Sequence, residues 1–167
     1  YNNPLSWKAT VKLIKSLNPD KVIFQWAIAI QGIPLGFIAK NLKKESNIEV
    51  FFDLHFVIQK EGSALDNRLT RLGIINADSY IVHAFKTAEE LKQLFPKRKF
   101  EIIKKGDSIE GDGIKVLKLY HPVYDMFKPD SNFDKSKTKK EMGLKENVFL
   151  FFGFIRKYKG LHNVIEA

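Results

Sequence analysis

Short runs of apolar residues alternate along the chain with segments in which apolar residues recur at helical spacing. This pattern predicts secondary structure over most of the chain. Short, nearly uninterrupted apolar runs are typical of strands buried on both faces, and residues 22–26 and 48–54 are the clearest examples. The predicted strands are 22–26, 48–54, 79–83, 100–104, 114–119 and 148–152, and the predicted helices are 4–17, 30–44, 63–76, 87–94, 138–143 and 160–167. Strands that alternate with helices predict an α/β fold, with a parallel sheet covered by helices on both faces.

Side chains that cap helices mark several of the predicted boundaries. Asn3 followed by Pro4 is typical of a helix start. Three further starts are predicted from pairs that resemble capping boxes, Ser63 with Asp66, Thr87 with Glu90, and Thr138 with Glu141.

The hydrophobic pattern lapses between residues 128 and 140, where lysines alternate with Asp, Asn and Ser. This composition predicts a solvated linker. The predicted organisation is a first domain over 1–128, a linker over 129–140, and the start of a second domain over 141–167. Because the last predicted helix has no stop signal before Ala167, we expect the second domain to be incomplete and the chain to be a fragment.

Composition narrows the classes of function. The 167 residues are 44% hydrophobic and 28% charged, as in soluble globular proteins. The absence of cysteine excludes disulfides, thiolate metal sites and a cysteine nucleophile. The formal net charge of +9 favours an anionic partner, which would be nucleic acid, an acidic membrane surface or a phosphate-bearing small molecule.

The segment 151–161 combines features of a phosphate-binding loop. A predicted buried strand ends at Gly153, a loop carrying Arg156 and Lys159 follows, and a helix is predicted to begin at Gly160. Ligands of α/β sheets bind beyond the carboxyl ends of strands, where fixed cations and helix N-termini attract phosphates. An ordinary solvated loop is the alternative interpretation.

The stretch LFFGFIRKYKGLHNVIEA, residues 150–167, resembles the opening of the nucleotide-sugar domain of family 4 glycosyltransferases. Segments 18–26, 78–83 and 121–125 are similar to parts of that family's N-terminal domain. The resemblance implies a GT-B fold, in which two Rossmann-like domains face each other across a cleft. It also implies retaining transfer of a sugar from a nucleotide diphosphate-sugar to a hydroxyl of a glycan, polysaccharide or lipid-linked acceptor.

The resemblance implies roles for individual residues. Lys159 matches the lysine that holds the donor diphosphate, and Arg156 matches a second diphosphate cation found in one branch of the family. Phe154 stands where most members have arginine, directly after the glycine. Gly153 and Gly160 would let the backbone approach the donor. In this family the cations usually replace a metal ion, so the resemblance implies no metal and no cofactor beyond the donor substrate.

His55 follows the predicted strand 48–54 and matches the family position that faces the sugar and acceptor, which makes it the candidate catalytic residue. A structural histidine at a strand end is the alternative. Phe56 stands where the family commonly has asparagine. We interpret Glu61 as a surface or helix-entry charge. His121 either faces the cleft or braces the hinge, and we favour the brace.

No metal site is predicted from spacing. His83 and His162 have no convergent partner at metal-ligand spacing. The acidic residues within 106–113 do not follow the calcium-loop pattern, and this glycine-rich segment predicts an inserted hairpin between two strands.

The basic runs 97–99 and 104–105 leave two interpretations open, a solvated face or weak peripheral attraction to the anionic inner face of a membrane. The resemblance implies a cytoplasmic protein.

A basic α/β module for nucleic acid or another anionic polymer is less favoured, because the sequence has no recognition motif or aromatic-basic strand platform. A catalytically dead relative is a third hypothesis. We expect no sugar transfer by the 167-residue chain alone, because the family's glycine-rich loop and glutamate pair are not in it.

Overall fold

The computed structural model describes residues 3–44, 46–59, 62–121 and 124–167, and the chain divides into two compact units, Tyr1–His121 and Pro122–Ala167. In the first unit the helices are α1 (Pro4–Ser16), α2 (Gly32–Leu42), α3 (Ala64–Ile74) and α4 (Phe85–Leu94), with a single 3-10 turn over Ala29–Gln31 before α2. The strands are β1 (Lys21–Trp26), β2 (Glu49–Leu54), β3 (Ser79–Val82), β4 (Phe100–Lys104) and β5 (Ile114–Lys118).

The five strands form one sheet in the order β1-β2-β3-β5-β4, and every neighbouring pair is parallel. Helices flank this sheet, which confirms the predicted α/β class and is consistent with a Rossmann-like fold. The core lies along the central strands, where Phe52, Leu54, Tyr80 and Val82 have no exposed surface. Buried apolar side chains of this size supply the main favourable term in folding.

The prediction that residues 22–26 are buried on both faces is wrong. β1 is an outer strand that pairs only with β2 among the described strands, and its side chains alternate between exposed and covered. Ile23, for example, is 57% exposed, whereas Trp26 is fully buried. One face of β1 is therefore covered, whereas the other, which carries Ile23 and Gln25, is exposed, as at the outer edge of a sheet.

The predicted hairpin over 106–113 is also wrong. β4 and β5 run parallel, with Phe100 opposite Ile114 and Lys104 opposite Lys118, so the segment returns the chain to the start of the next strand. Gly106 and Gly111 have φ angles of 98° and 95°, a region that favours glycine, and they allow the reversals that a short crossover needs.

One side chain ties this crossover to the sheet. The carboxylate of Glu101 on β4 accepts a hydrogen bond from the Gly113 N–H at 3.0 Å and pairs with the Lys115 ammonium. Lys115 also donates to the carbonyl oxygens of Glu110 and Gly111, at 2.8 and 2.9 Å. These bonds satisfy backbone groups that a parallel crossover without a helix leaves unpaired.

We expect Glu101→Gln to lower the free energy of unfolding at pH 7 and to cost progressively less as the pH falls. The hydrogen bond from Lys115, followed by that from the Gly113 N–H, holds the pKa of Glu101 below its ordinary value of 4.5. A carboxyl with a lowered folded pKa stabilises the fold above the unfolded pKa, and this contribution is lost as the pH falls through the folded pKa. Urea unfolding from pH 7 to about pH 2 measures the difference. Glu110→Gln in the same crossover is the control, and a cost for Glu101→Gln that does not change with pH would contradict the assignment.

The predicted helix caps have mixed outcomes. Asn3 caps α1, and Ser63 and Asp66 form a complete capping box at α3, as predicted. The box assigned to Thr87 and Glu90 is wrong, because α4 begins two residues earlier, at Phe85, and Thr87 is buried inside it. The carboxylate of Glu90 instead accepts hydrogen bonds from the backbone of the loop that follows β2.

The second unit contains helix α5 (Lys135–Glu141), a 3-10 turn over Lys157–Lys159 and helix α6 (Leu161–Glu166). Asp134 caps α5, with its Oδ1 accepting from the N–H groups of Ser136 and Lys137 at 2.8 and 3.0 Å. The cap predicted at Thr138 is therefore wrong, and the helix begins inside the predicted linker. Gly143 follows the helix with a φ of 65°, which confirms the predicted stop.

The predicted strand 148–152 is not formed in the second unit. No described strand lies in this unit to pair with it, and a strand cannot satisfy its backbone alone. Phe149, Leu150 and Phe152 are each more than 80% exposed. The apolar run that predicts a buried strand is thus an exposed, irregular segment.

Candidate functional site

Polar side chains converge at the carboxyl edge of the sheet. Gln25 and Asp53 lie one residue before the ends of β1 and β2, and His55 and His83 directly follow β2 and β3. Parallel pairing brings these strand ends together, since Gln25 is the register partner of Asp53 and Leu54 that of Val82. This edge is where ligands of open α/β sheets bind.

A chain of hydrogen bonds links the four side chains. Nε2 of His83 lies 2.8 Å from Asp53 Oδ1, and both side chains are only 14% exposed. Gln25 donates from its amide nitrogen to Asp53 Oδ2 at 3.0 Å. The Gln25 amide oxygen lies 3.3 Å from His55 Nε2, and His55 is exposed. Asp53 thus has a separate partner on each carboxylate oxygen, which fixes its orientation.

Three imidazoles stack at this edge, and His55, His83 and His121 are referred to below as the imidazole cluster. The ring centroids of His83 and His121 lie 4.2 Å apart with planes inclined by 15°. Those of His55 and His83 lie 5.2 Å apart, and those of His55 and His121 lie 5.7 Å apart. His121, interpreted from sequence as a hinge brace, here covers one face of the His83 ring. Pro122, which follows it, is outside the described residues.

One residue of this site, His55, is among those predicted from the sequence. His55 lies at the carboxyl edge of the sheet, at the end of β2. The inference that His83 lacks a convergent partner is wrong, because Asp53 and His55 both approach it. Glu61 lies outside the described residues.

Asp53 and Gln25 are residues that sequence reasoning missed. Each is a polar residue within an otherwise apolar strand segment, FFDL and IFQW, near the carboxyl end. The Asp53 side chain is only 14% exposed, and buried polar groups need partners, so a carboxylate at such a position is itself a signal for a site.

The chain that follows His55 is held by Glu90 on α4. The Glu90 carboxylate accepts hydrogen bonds from the backbone N–H groups of Val57 and Ile58, each at 3.2 Å. The Val57 side chain is fully buried. One end of the His55 loop is therefore anchored, while the imidazole of His55 itself is exposed.

The second predicted site, around segment 153–160, lies in the other compact unit. Gly153 has a φ of 108°, and a Cβ at this position would lie 2.9 Å from Lys159 Nζ. The Lys159 ammonium is therefore folded back over the Gly153 backbone. Gly160 has a φ of 71° and precedes α6. The glycines at both ends of the loop have the left-handed conformation that favours glycine.

The cations of this loop have no carboxylate partner among the described residues. Arg156 and Lys159 are both exposed, and neither forms an ion pair with any carboxylate in the described part of the chain. Lys159 donates its backbone N–H to the Arg156 carbonyl at 3.0 Å, which closes the turn between them. Lys157 is also exposed and in no ion pair among the described residues, so the loop holds three such cations close together along the chain, an arrangement that favours anion binding.

In the basic runs of the first unit, contacts within the protein pair the charge of Lys99 with a carboxylate and also involve Arg98 and the backbone of Lys104. Lys99 forms an ion pair with Asp112, and the Arg98 guanidinium lies 5.0 Å from the centre of the Phe95 ring. Asp107 accepts a hydrogen bond from the Lys104 N–H at 2.8 Å. Across the described residues, no helix combines the length and the hydropathy needed to cross a bilayer.

Comparisons with protein-family models, with curated proteins and with solved structures find no significant match to this chain. The geometry of the two sites and the sequence resemblance are therefore the grounds on which a function is proposed.

Proposed function

We propose that this chain acts in a retaining glycosyltransferase of the family 4 type, which moves a sugar from a nucleotide diphosphate-sugar to an acceptor hydroxyl. The observation that carries the proposal is the loop 153–160, in which Lys159 lies over Gly153 and, with Arg156, has no described carboxylate partner. The resemblance of residues 150–167 to the nucleotide-sugar domain of that family supports the same conclusion.

The two cations have a defined task in such a reaction. Cleavage of the bond between the sugar and the diphosphate places negative charge on the leaving group. Arg156 and Lys159 would stabilise that charge, and positively charged groups fixed before the reaction do this without reorganisation. Gly153, which has no side chain, would let the diphosphate approach the backbone beside Lys159.

His55 is the proposed catalytic residue of the other unit. It lies at the carboxyl edge of a parallel sheet, and its exposed imidazole would hydrogen-bond a hydroxyl of the sugar or acceptor. The hydrogen bond to Gln25, together with the Asp53–His83 pair behind it, would hold the ring in place. The proposal assigns no nucleophile.

The proposed partners follow from this chemistry. The donor is a nucleotide diphosphate-sugar, and the acceptor is a glycan, a polysaccharide or a lipid-linked sugar. The proposed location is the cytoplasm, where the basic runs 97–99 and 104–105 would favour contact with an anionic inner membrane face.

A binding panel tests the proposal. The purified chain is titrated with UDP, GDP, ADP and the corresponding nucleotide-sugars, and separately with a single-stranded oligonucleotide, at low and at moderate salt. We expect saturable binding of at least one nucleoside diphosphate, weakened by Arg156→Ala. Oligonucleotide binding with a steep salt dependence, and no nucleoside diphosphate binding, would overturn the proposal in favour of a module for anionic polymers.

A further inference from the structure

We propose that Asp53, His55 and His83 form a binding site for a divalent transition-metal ion of the Zn²⁺ class at the carboxyl edge of the sheet. One ligand atom from each of the three residues lies within 4.8 Å of those of the other two. They form the only such group of three or more potential ligands within the described ranges. The proposal concerns metal binding and goes beyond the proposed sugar transfer.

The donor set selects the class of metal. Two imidazole nitrogens and one carboxylate oxygen suit zinc and its neighbours, whereas calcium and magnesium prefer oxygen ligands. Ligand atoms around a tetrahedral zinc ion with bonds of about 2.1 Å lie about 3.4 Å apart. A separation of 4.8 Å has to shorten by about 1.4 Å, which a movement of the exposed His55 side chain away from the Gln25 amide oxygen would supply.

The neighbouring residues hold the ligands in orientations that favour a metal. Gln25 donates to Oδ2 of Asp53, which leaves Oδ1 directed at Nε2 of His83. These two atoms lie 2.8 Å apart, so a metal ion would replace their hydrogen bond, move them about 0.6 Å further apart and take up the third ligand from His55. Ligating carboxylates in metal sites are commonly fixed by such outer hydrogen bonds.

The other ring nitrogen of His83 and one face of its ring are covered by the protein. Its Nδ1 is buried and has no hydrogen-bond partner among the described residues, and the His121 ring stacks on it at 4.2 Å. Nε2 is therefore the nitrogen available to a metal. Since His55 is exposed, the site is open on one side, and three protein ligands leave a coordination position for water or another oxygen ligand.

Metal titration of the whole chain, without an affinity tag, tests the proposal. The metal-free protein is titrated with Zn²⁺ by calorimetry, and Co²⁺ is added separately to record its visible spectrum. We expect one ion per chain and a Co²⁺ spectrum typical of four or five ligands. His55→Ala is expected to weaken Zn²⁺ binding by at least about tenfold, while the exposed His162→Ala in the second unit leaves it unchanged.

Asp53→Asn provides a second variant, since it keeps the size of the side chain and removes the charge. Circular dichroism establishes that each variant is folded, and His55→Ala alters only an exposed side chain. Binding of no stoichiometric ion, or equal affinity in His55→Ala, Asp53→Asn and the unaltered chain, would overturn the proposal. Because only the metal is measured, failure of this test is distinguishable from failure of the proposed sugar transfer.

Discussion

In the proposed glycosyltransferase, Lys159→Ala is expected to lower sugar transfer by about 10²–10³-fold, the loss typical when one preorganised group that stabilises developing negative charge is removed. The structure places this ammonium over Gly153 and away from any described carboxylate. Its charge is therefore available to a ligand without first breaking an ion pair. An exposed lysine that is already paired would contribute far less.

The distribution of the loss between kinetic constants distinguishes two roles for Lys159. The diphosphate gains charge as the bond to the sugar breaks, so an interaction with that charge is stronger in the transition state than in the bound donor. We therefore expect most of the loss in kcat. A loss confined to KM would indicate that Lys159 only binds the donor.

Lys157→Ala is the matched control for this measurement. Lys157 lies in the same 3-10 turn and is equally exposed, and its removal changes the net charge by the same amount. A general electrostatic effect of the basic surface would reduce transfer similarly in both variants. Unchanged transfer in Lys159→Ala would contradict the enzyme assignment and favour a catalytically inactive relative.

The fold class could be predicted from the sequence because it depends on local patterns. Residues 48–54 and 79–83 are short apolar runs flanked by helical spacings, and any such alternation favours a parallel sheet. The outer position of β1 and the parallel pairing of β4 with β5 could not be predicted in the same way. Strand order and direction depend on which segments pair with each other, and these segments are distant in the sequence. Local hydrophobic patterns contain no information about that pairing.

The candidate site, too, could be predicted only as far as it depends on local sequence. His55 could be located at a strand end from its neighbours alone, but its approach to His83 depends on register. Leu54 is opposite Val82 in the parallel pair, so the residues that follow them emerge side by side. A shift of one residue would turn every side chain of the shifted strand to the other face and separate the pair. The Asp53–His83 contact spans 30 residues of sequence and follows from that register.

The crossing of α2 and α3 leads to the largest expected effect on stability. These helices meet at glycines, where a Cβ at Gly32 would lie 2.0 Å from the Leu69 carbonyl oxygen and one at Gly36 would lie 2.5 Å from that of Leu72. On α3, a Cβ at Gly73 would lie 2.7 Å from the indole ring of Trp26. Both helix backbones therefore approach more closely than any side chain at these positions allows.

Gly32→Ala is expected to lower the free energy of unfolding by about 2–3 kcal/mol, because the added methyl group meets a backbone oxygen that cannot rotate away. Helix propensity opposes this loss, since alanine is favoured over glycine by up to about 1 kcal/mol in a helix interior. Gly32 is the first residue of α2, where that gain is smaller, so the steric cost dominates. Urea unfolding measures the change, with Lys40→Ala on the exposed face of the same helix as the control.

Equal or greater stability in Gly32→Ala would mean that α2 and α3 pack further apart than the structure shows. Trp26 would then be packed differently as well, because its indole ring contacts Gly73 at this crossing. Trp26 is the last residue of β1, so its position affects the sheet edge that carries the imidazole cluster.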